Sequence, residues 1–308
     1  MSTTSRRAFV KTSLSAAIGV PLVRDSARAA QPVSVPTGAA GRGTVRDRLW
    51  IFCCAANSDF PSMKRRSVMT PAEGAFFLGV PNIIMVQSSI TEAKYGRLEP
   101  PFAQYMYALR PLKRVVWSVV GSGGFSDPKE TEEVLDLAKT QPSFVGAMLD
   151  DFFTGQKDGQ RAKWTVDELA QFRRRLLAID KDFKIFATYY YASQVDLPLG
   201  DYLDLIDVVT LWCGPKDVVN LEANLKRAEA SAPKCKKMLG CYVVDYGGKR
   251  GLSVELMKLQ CETGLKWLRE GRIHDMIFLA NTVLDVGLPS AEFSRQWIKR
   301  VGNEKLAR

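Results

Sequence analysis

From Thr44 onward the chain repeats one pattern: a short apolar run, a polar or aromatic end, then a polar segment carrying apolar residues at helical spacing. The runs are Arg48 to Ala55, Asn82 to Gln87, Arg114 to Val120, Phe144 to Leu149, Phe183 to Thr188, Asp207 to Leu211, Lys237 to Val244 and Asp275 to Ala280. Nearly continuous apolar runs suit strands of a parallel sheet, because helices bury both of its faces. The segments between them begin with helix-start chemistry. Thr70-Pro71-Ala72-Glu73 offers an N-cap, a proline at the first helical position and a reciprocal glutamate. Asp127-Pro128 and the pair Thr165 and Glu168 follow the same logic, and Ser253 and Ser290 read as caps of the last two helices. Pro101 to Leu109 and the stretch from Pro215 to about Ala230 read as helices too. Behind the fourth run, Leu169, Phe172, Leu176 and Leu177 form one apolar stripe.

Eight alternations of strand and helix predict an α/β fold, a closed (β/α)8 TIM barrel filling residues 44–308 as one domain. The rival, an open doubly wound sheet, usually carries a glycine-rich fingerprint after its first strand. Cys53-Cys54-Ala55-Ala56-Asn57 carries none.

A barrel of this kind places its chemistry at the C-terminal ends of its strands. Collected there are Asn57, Gln87, Asp150, Asp151, Tyr189, Tyr190, Tyr191, Trp212, Asp245, Tyr246 and Asn281, with Trp117 nearby. Aromatic faces stack on sugar rings, and carboxylates and amides bind hydroxyls, so the set suits a carbohydrate. Asp150 and Asp151 stand out, because adjacent acids closing an apolar strand must be paired or neutralised if buried. If Val145, Ala147 and Leu149 face the helices, then Gly146, Met148 and Asp150 face the barrel axis. Glycosidic hydrolysis usually takes two carboxyl groups. Asp150 fills one role, and Asp245, or alternatively Asp151, fills the other. Substrate contacts fall to Asn57, Gln87, Trp117, Tyr189, Tyr190, Trp212, Tyr246 and Asn281. The structural alternatives stay open: a lysine or arginine pairing one of the two adjacent acids, a capping role for the other, and packing roles for Trp212 and for some of the tyrosines.

The segment Gly146-Ala-Met-Leu-Asp150-Asp151-Phe152-Phe153 resembles the fourth-strand signature of glycoside-hydrolase-like TIM barrels, and Asp207-Val-Val-Thr-Leu-Trp212 is similar to a sixth strand in them. The resemblance implies a catalytic acid at the end of the fourth strand and a glycoside hydrolase activity, without matching a particular family. Two other readings remain. One is a carbohydrate-binding barrel without catalysis. The other is a sugar or sugar-phosphate isomerase, epimerase or lyase that uses the glycine-rich loop 245–251, where Lys249 and Arg250 would suit an anion.

The first residues read as an address. Ser5-Arg6-Arg7-Ala8-Phe9-Val10-Lys11 resembles the twin-arginine (Tat) export motif, followed by a modest apolar stretch and Ala27-Arg28-Ala29, an A-x-A cleavage pattern. Residues 1–30 are thus read as a Tat signal peptide and 31–43 as a flexible leader, which implies the Tat machinery as a partner and a periplasmic or extracellular protein. The apolar stretch is too short for a lasting membrane span. The net charge of +10 includes +4 from the first thirty residues, where Arg6, Arg7, Lys11, Arg24 and Arg28 face Asp25. The remaining +6 is spread along helical segments with no nucleic-acid module, so no nucleic-acid partner is expected. With one histidine and no C-x-x-C pair among six cysteines, a zinc site of the His/Cys type is not expected; no metal or cofactor is assigned, and a hard cation such as Ca2+ or Mg2+ at the carboxylates is left open. A disulfide between Cys235 and Cys261 is left open.

Overall fold

Each apolar run becomes a strand, and the strands close on themselves. The computed structural model describes residues 43–57, 65–88, 97–154 and 160–306; the readings of a signal peptide and a leader fall almost wholly outside them. The strands are β1 (Leu49–Cys53), β2 (Asn82–Met85), β3 (Arg114–Val120), β4 (Phe144–Leu149), β5 (Lys184–Tyr190), β6 (Val208–Trp212), β7 (Lys236–Tyr242) and β8 (Asp275–Leu279). They pair in parallel as a closed ring, β1-β8-β7-β6-β5-β4-β3-β2. This is the (β/α)8 barrel.

The helices are α1 (Pro71–Leu78), α2 (Tyr105–Leu109), α3 (Pro128–Thr140), α4 (Val166–Ile179), the short α5 (Tyr191–Gln194) and α6 (Gly200–Leu203), α7 (Leu221–Ser231), α8 (Val254–Glu270) and α9 (Pro289–Val301). Thr70 and Glu73 exchange capping bonds at the start of α1, and Thr165 and Glu168 do the same at α4. Asp127 accepts from Lys129 N at 2.8 Å, and Ser253 from Leu256 N at 3.3 Å. Ser290 departs from its expected role. Leu288 occupies the cap position of α9, and the buried Ser290 hydroxyl donates to Val243 O at 2.8 Å.

Side chains fill the lumen. Trp50 of β1 meets Phe186 of β5 across the axis, their ring centroids 5.9 Å apart, and one layer higher Phe52 meets Trp212 of β6 at 6.0 Å. Two glycines make this packing possible. A Cβ on Gly146 would lie 2.1 Å from Lys184 O of β5, and one on Gly240 would lie 2.3 Å from the Trp212 indole. Cys235 is a free thiol whose single S–H has Ile206 O at 3.2 Å and Leu203 O at 3.4 Å as acceptors, and Cys261 is likewise free and buried.

Among the described residues, no helix is long and apolar enough to cross a membrane.

Candidate active site

β4 ends where the two acids begin. Asp150 continues the ladder by donating its N–H to Val120 O at 2.8 Å. Asp151 then turns the chain in the left-handed region, at φ 46°, and its N–H donates to the Thr188 hydroxyl at 2.8 Å. A non-glycine residue in that region costs conformational energy, so the surroundings must hold it. They do so through the side chain. Asp151 Oδ2 accepts from Gly123 N at 2.8 Å, and Oδ1 accepts from the Tyr190 hydroxyl at 2.5 Å.

The two acids differ in surroundings. Asp150 is only 4% exposed. Burial, and then the adjacent Asp151 charge, push its carboxyl well above the usual carboxylate range, against smaller opposing effects of the Asp151 N–H and the Thr188 hydroxyl. Asp150 is therefore a proton holder. Asp151, with an N–H and an O–H aimed at its oxygens, has the donors that suit a carboxylate. The same pair acts on its neighbours. Burial, helped by both acids, pushes the Cys54 thiol up to about 12 and raises the Tyr190 and Tyr242 phenols, so these groups remain protonated at neutral pH.

Both acids line a cavity of about 530 Å³ at the C-terminal mouth of the barrel. Its aromatic side is continuous. Trp212 lies against Tyr242 with centroids 4.9 Å apart, and Tyr242 against Tyr246 at 5.3 Å. The Trp212 indole is fixed by its own donation to Thr210 Oγ1 at 2.9 Å. Tyr246 is 44% exposed, so the wall runs from the buried floor to solvent. Phe52, Leu279 and Ala280 complete the apolar side, and Ser122, Thr188 and Thr282 supply hydroxyls. Among the described lining residues, Asp150 and Asp151 are the only acids and no lysine, arginine or histidine occurs.

Of the residues singled out from sequence, Asp150, Asp151, Tyr190, Trp212 and Tyr246 meet in this cavity. The others lie elsewhere. Asp245 sits in a small antiparallel ladder, Val244–Asp245 with Arg250–Gly251, where it accepts from Gly248 N at 2.8 Å and pairs with Arg250 at 3.5 Å. The glycine-rich loop is thus a hairpin closed by its own acid and base. Trp117 is fully buried on the helix side of β3, stacked on Phe102 at 4.9 Å. Tyr189, also on the helix side, donates to Ser231 Oγ at 3.0 Å. Gln87 spends its amide on Leu98 and Ser88, and Asn281 ties the end of β8 to Cys54 and Met69. Asn57 is exposed, at φ 61°, and its carbonyl accepts from Arg66.

Sequence reading missed Tyr242, Thr188 and the Ser122-Gly123 turn. Thr188 shares the inward parity of Phe186 and Tyr190 along β5, a signal that was available. Tyr242 was hidden because Val243-Val244 reads as a continuation of β7, whereas the strand stops at Tyr242 and the chain swings into the hairpin.

No family profile matches the chain. No curated protein matches it in sequence either. Solved structures do resemble it. A Bacteroides thetaiotaomicron protein assigned as an alpha-L-fucosidase aligns over 89% of this chain and 99% of its own, with TM-score 0.55 and 10% identity. A glycoside hydrolase family 5 enzyme from Prevotella bryantii aligns over 86% and 100%, with TM-score 0.51 and 10% identity. Active domain 2 of a chitinase from Pyrococcus furiosus aligns over 86% and 99%, with TM-score 0.50 and 12% identity. At such identities the likeness is one of fold.

Proposed function

We propose that the protein is a glycoside hydrolase, exported by the twin-arginine machinery to the periplasm or beyond, in which Asp150 is the general acid. The observation that carries this reading is the split pair: a buried, proton-holding Asp150 beside a hydrogen-bonded Asp151, both facing an aromatic-walled cavity. The fold shared with glycoside hydrolases is consistent with it.

The chemistry follows from the pair. Asp150 donates its proton to the glycosidic oxygen as the bond from that oxygen to the anomeric carbon breaks. Positive charge gathers on the sugar ring, and the Asp151 carboxylate stabilises it at short range. Water then adds to the anomeric carbon, its proton passes to Asp151, and transfer of that proton to the adjacent Asp150 restores the starting state. Gly123 N–H and the Tyr190 hydroxyl hold Asp151 in place throughout. Trp212, Tyr242 and Tyr246 provide faces for the sugar rings.

The second reading, a carbohydrate-binding barrel without turnover, is favoured by one observation. Both acids of the described lining come from a single strand end, with no carboxyl on the facing wall. The phosphosugar reading has less support, because no cation lines the described cavity and Lys249 and Arg250 lie outside it.

A panel of aryl glycosides tests the proposal with wild type and Asp150→Asn. Turnover of one glycoside by wild type, abolished in a folded Asp150→Asn, supports hydrolysis. Ligand binding without turnover in wild type supports the second reading. Export is tested separately, by whether Arg6→Lys with Arg7→Lys retains the protein in the cytoplasm.

A further inference from the structure

The two acids share one strand end, which fixes the side from which both reach a sugar. A leaving group and its nucleophile occupy opposite faces of the anomeric carbon. The paired carboxyls of a hydrolase therefore usually flank the scissile bond, about 5 to 10 Å apart. Asp150 and Asp151 are consecutive at the end of β4, and the Asp151 charge acts directly on Asp150. With Asp150 at the leaving oxygen, Asp151 approaches the sugar from the same wall, and among the described lining residues these are the only acids. The alternative to a nucleophile on the protein is one carried by the substrate.

The cavity holds two groups that suit an amide. Asp151 accepts one hydrogen bond on each oxygen, from Gly123 N–H and the Tyr190 hydroxyl, and a carboxylate has about four acceptor positions, so a further N–H can be taken. Tyr242, at the end of β7, lines the same cavity. Gln260 takes its backbone N–H and C=O, while its hydroxyl makes no hydrogen bond among the described residues. Burial, then the Asp151 and Asp150 charges, raise this phenol and keep it a donor beside the pair. Trp212, in ring contact with Tyr242 and with Phe52, adds apolar surface. Acceptor, donor and apolar face match the N–H, the carbonyl oxygen and the methyl of an acetamido group.

We propose that the substrates are N-acetylhexosaminides whose acetamido group lies trans to the leaving group, and that the acetamido oxygen is the nucleophile, its N–H held by Asp151 and its carbonyl by Tyr242. This rests on the hydrolase reading above. The acetamido oxygen bonds to the anomeric carbon as the bond to the leaving oxygen breaks, and the leaving oxygen takes the Asp150 proton. Positive charge passes to the fused ring so formed, whose N–H donates to the Asp151 carboxylate. Water then bonds to the anomeric carbon, the bond to the acetamido oxygen breaks, and the water's proton returns straight to Asp150, since Asp151 is engaged by the amide. The trans linkage is required because the acetamido oxygen must reach the face opposite the leaving group.

The experiment compares nitrophenyl N-acetyl-β-glucosaminide and N-acetyl-β-galactosaminide with the plain β-glucoside and β-galactoside and with the α-linked N-acetyl substrates. The expected kcat/KM is at least about 100-fold higher on one of the β-linked N-acetyl substrates than on the rest, because an intramolecular nucleophile acts at a large effective concentration. Exchanging N-acetyl for N-trifluoroacetyl weakens the carbonyl oxygen as a nucleophile and should lower kcat at least about tenfold. Tyr242→Phe keeps the ring and loses one neutral hydrogen bond, so kcat/KM on the N-acetyl substrate should fall about 3- to 10-fold. Turnover of a plain glycoside that Asp150→Asn abolishes, with no advantage for the N-acetyl substrates, overturns this inference and leaves the hydrolase reading standing. So does an unchanged rate on the trifluoroacetyl substrate or in a folded Tyr242→Phe. A wild type that turns over no aryl glycoside at all overturns the hydrolase reading, and this inference with it.

Discussion

The Tyr190 hydroxyl donates to Asp151 Oδ1 at 2.5 Å, joining the end of β5 to the turn that closes β4. Burial and both neighbouring acids raise the phenol, so this oxygen is a donor throughout the neutral range. Removing it leaves Gly123 N–H as the one donor to the Asp151 side chain among the described residues. A hydrogen bond to a charged group is worth about 1.5–3 kcal/mol. In Tyr190→Phe, kcat/KM should therefore fall by about 10- to 100-fold. Steady-state kinetics on the best aryl glycoside, beside a melting curve, checks this. An unchanged kcat/KM in a folded variant would remove Asp151 from the reaction.

The raised Asp150 carboxyl carries a pH signature. An unfolded aspartate titrates at about 3.9. Between that value and its higher native one, the folded protein holds a proton that the unfolded chain has released. The stability Asp150 contributes is thus fully present below about 3.9 and is lost as pH rises through its native pKa. Asn at this position cannot ionise. The melting temperature of Asp150→Asn relative to wild type should accordingly climb with pH, and thermal scans across a pH series measure that difference. A difference that stays flat would mean that Asp150 ionises in the fold as easily as in the chain. In wild type, kcat/KM should fall on the alkaline side as the acid loses its proton.

Legibility from sequence followed physical range. Helix starts depend on residues three apart, and the boxes at Thr70 and Thr165 were readable for that reason. The alternation of strand and helix likewise announced the barrel. Side-chain direction needed one more step. Tyr189 and Tyr190 are neighbours, yet one faces a helix and the other the lumen, because successive strand residues point to opposite faces. Applied to β3, the same alternation removes Trp117 from the mouth. Gln87 and Asn281 could not be sorted in this way. Their amides are taken by the backbone of connecting loops, and for Asn281 the partners lie more than two hundred positions away in sequence. No local pattern announces such bonds. Asp245 was misplaced by a strand end, since apolar Val243 and Val244 belong to the hairpin and not to β7.

Gly240 is required by Trp212. A Cβ at that position would come within 2.3 Å of two indole carbons, inside any tolerated contact. The indole is also pinned by Thr210 and packed on Tyr242, so it has little room to yield. Overpacking of this kind costs about 1–3 kcal/mol. Gly240→Ala should lower the denaturant midpoint accordingly, and should weaken glycan binding more than a remote variant of equal stability. Urea unfolding together with a ligand titration separates the two effects. Full affinity in Gly240→Ala would mean that Trp212 is packing alone.

Asp245 offers the sharpest contrast with Asp150. Both are acids after the ends of adjacent-looking apolar runs, but Asp245 lies outside the lining of the cavity and serves its own hairpin. It accepts from Gly248 N–H and faces Arg250, which is largely exposed, so solvent weakens that pair. Asp245→Asn keeps an acceptor for Gly248 and loses only the charge. The expected outcome is turnover within about twofold of wild type and a stability change below about 1 kcal/mol. Parallel kinetics of Asp150→Asn and Asp245→Asn on one substrate decide the matter. A loss of turnover in Asp245→Asn as deep as that in Asp150→Asn would require the hairpin to swing its acid into the cavity during the reaction.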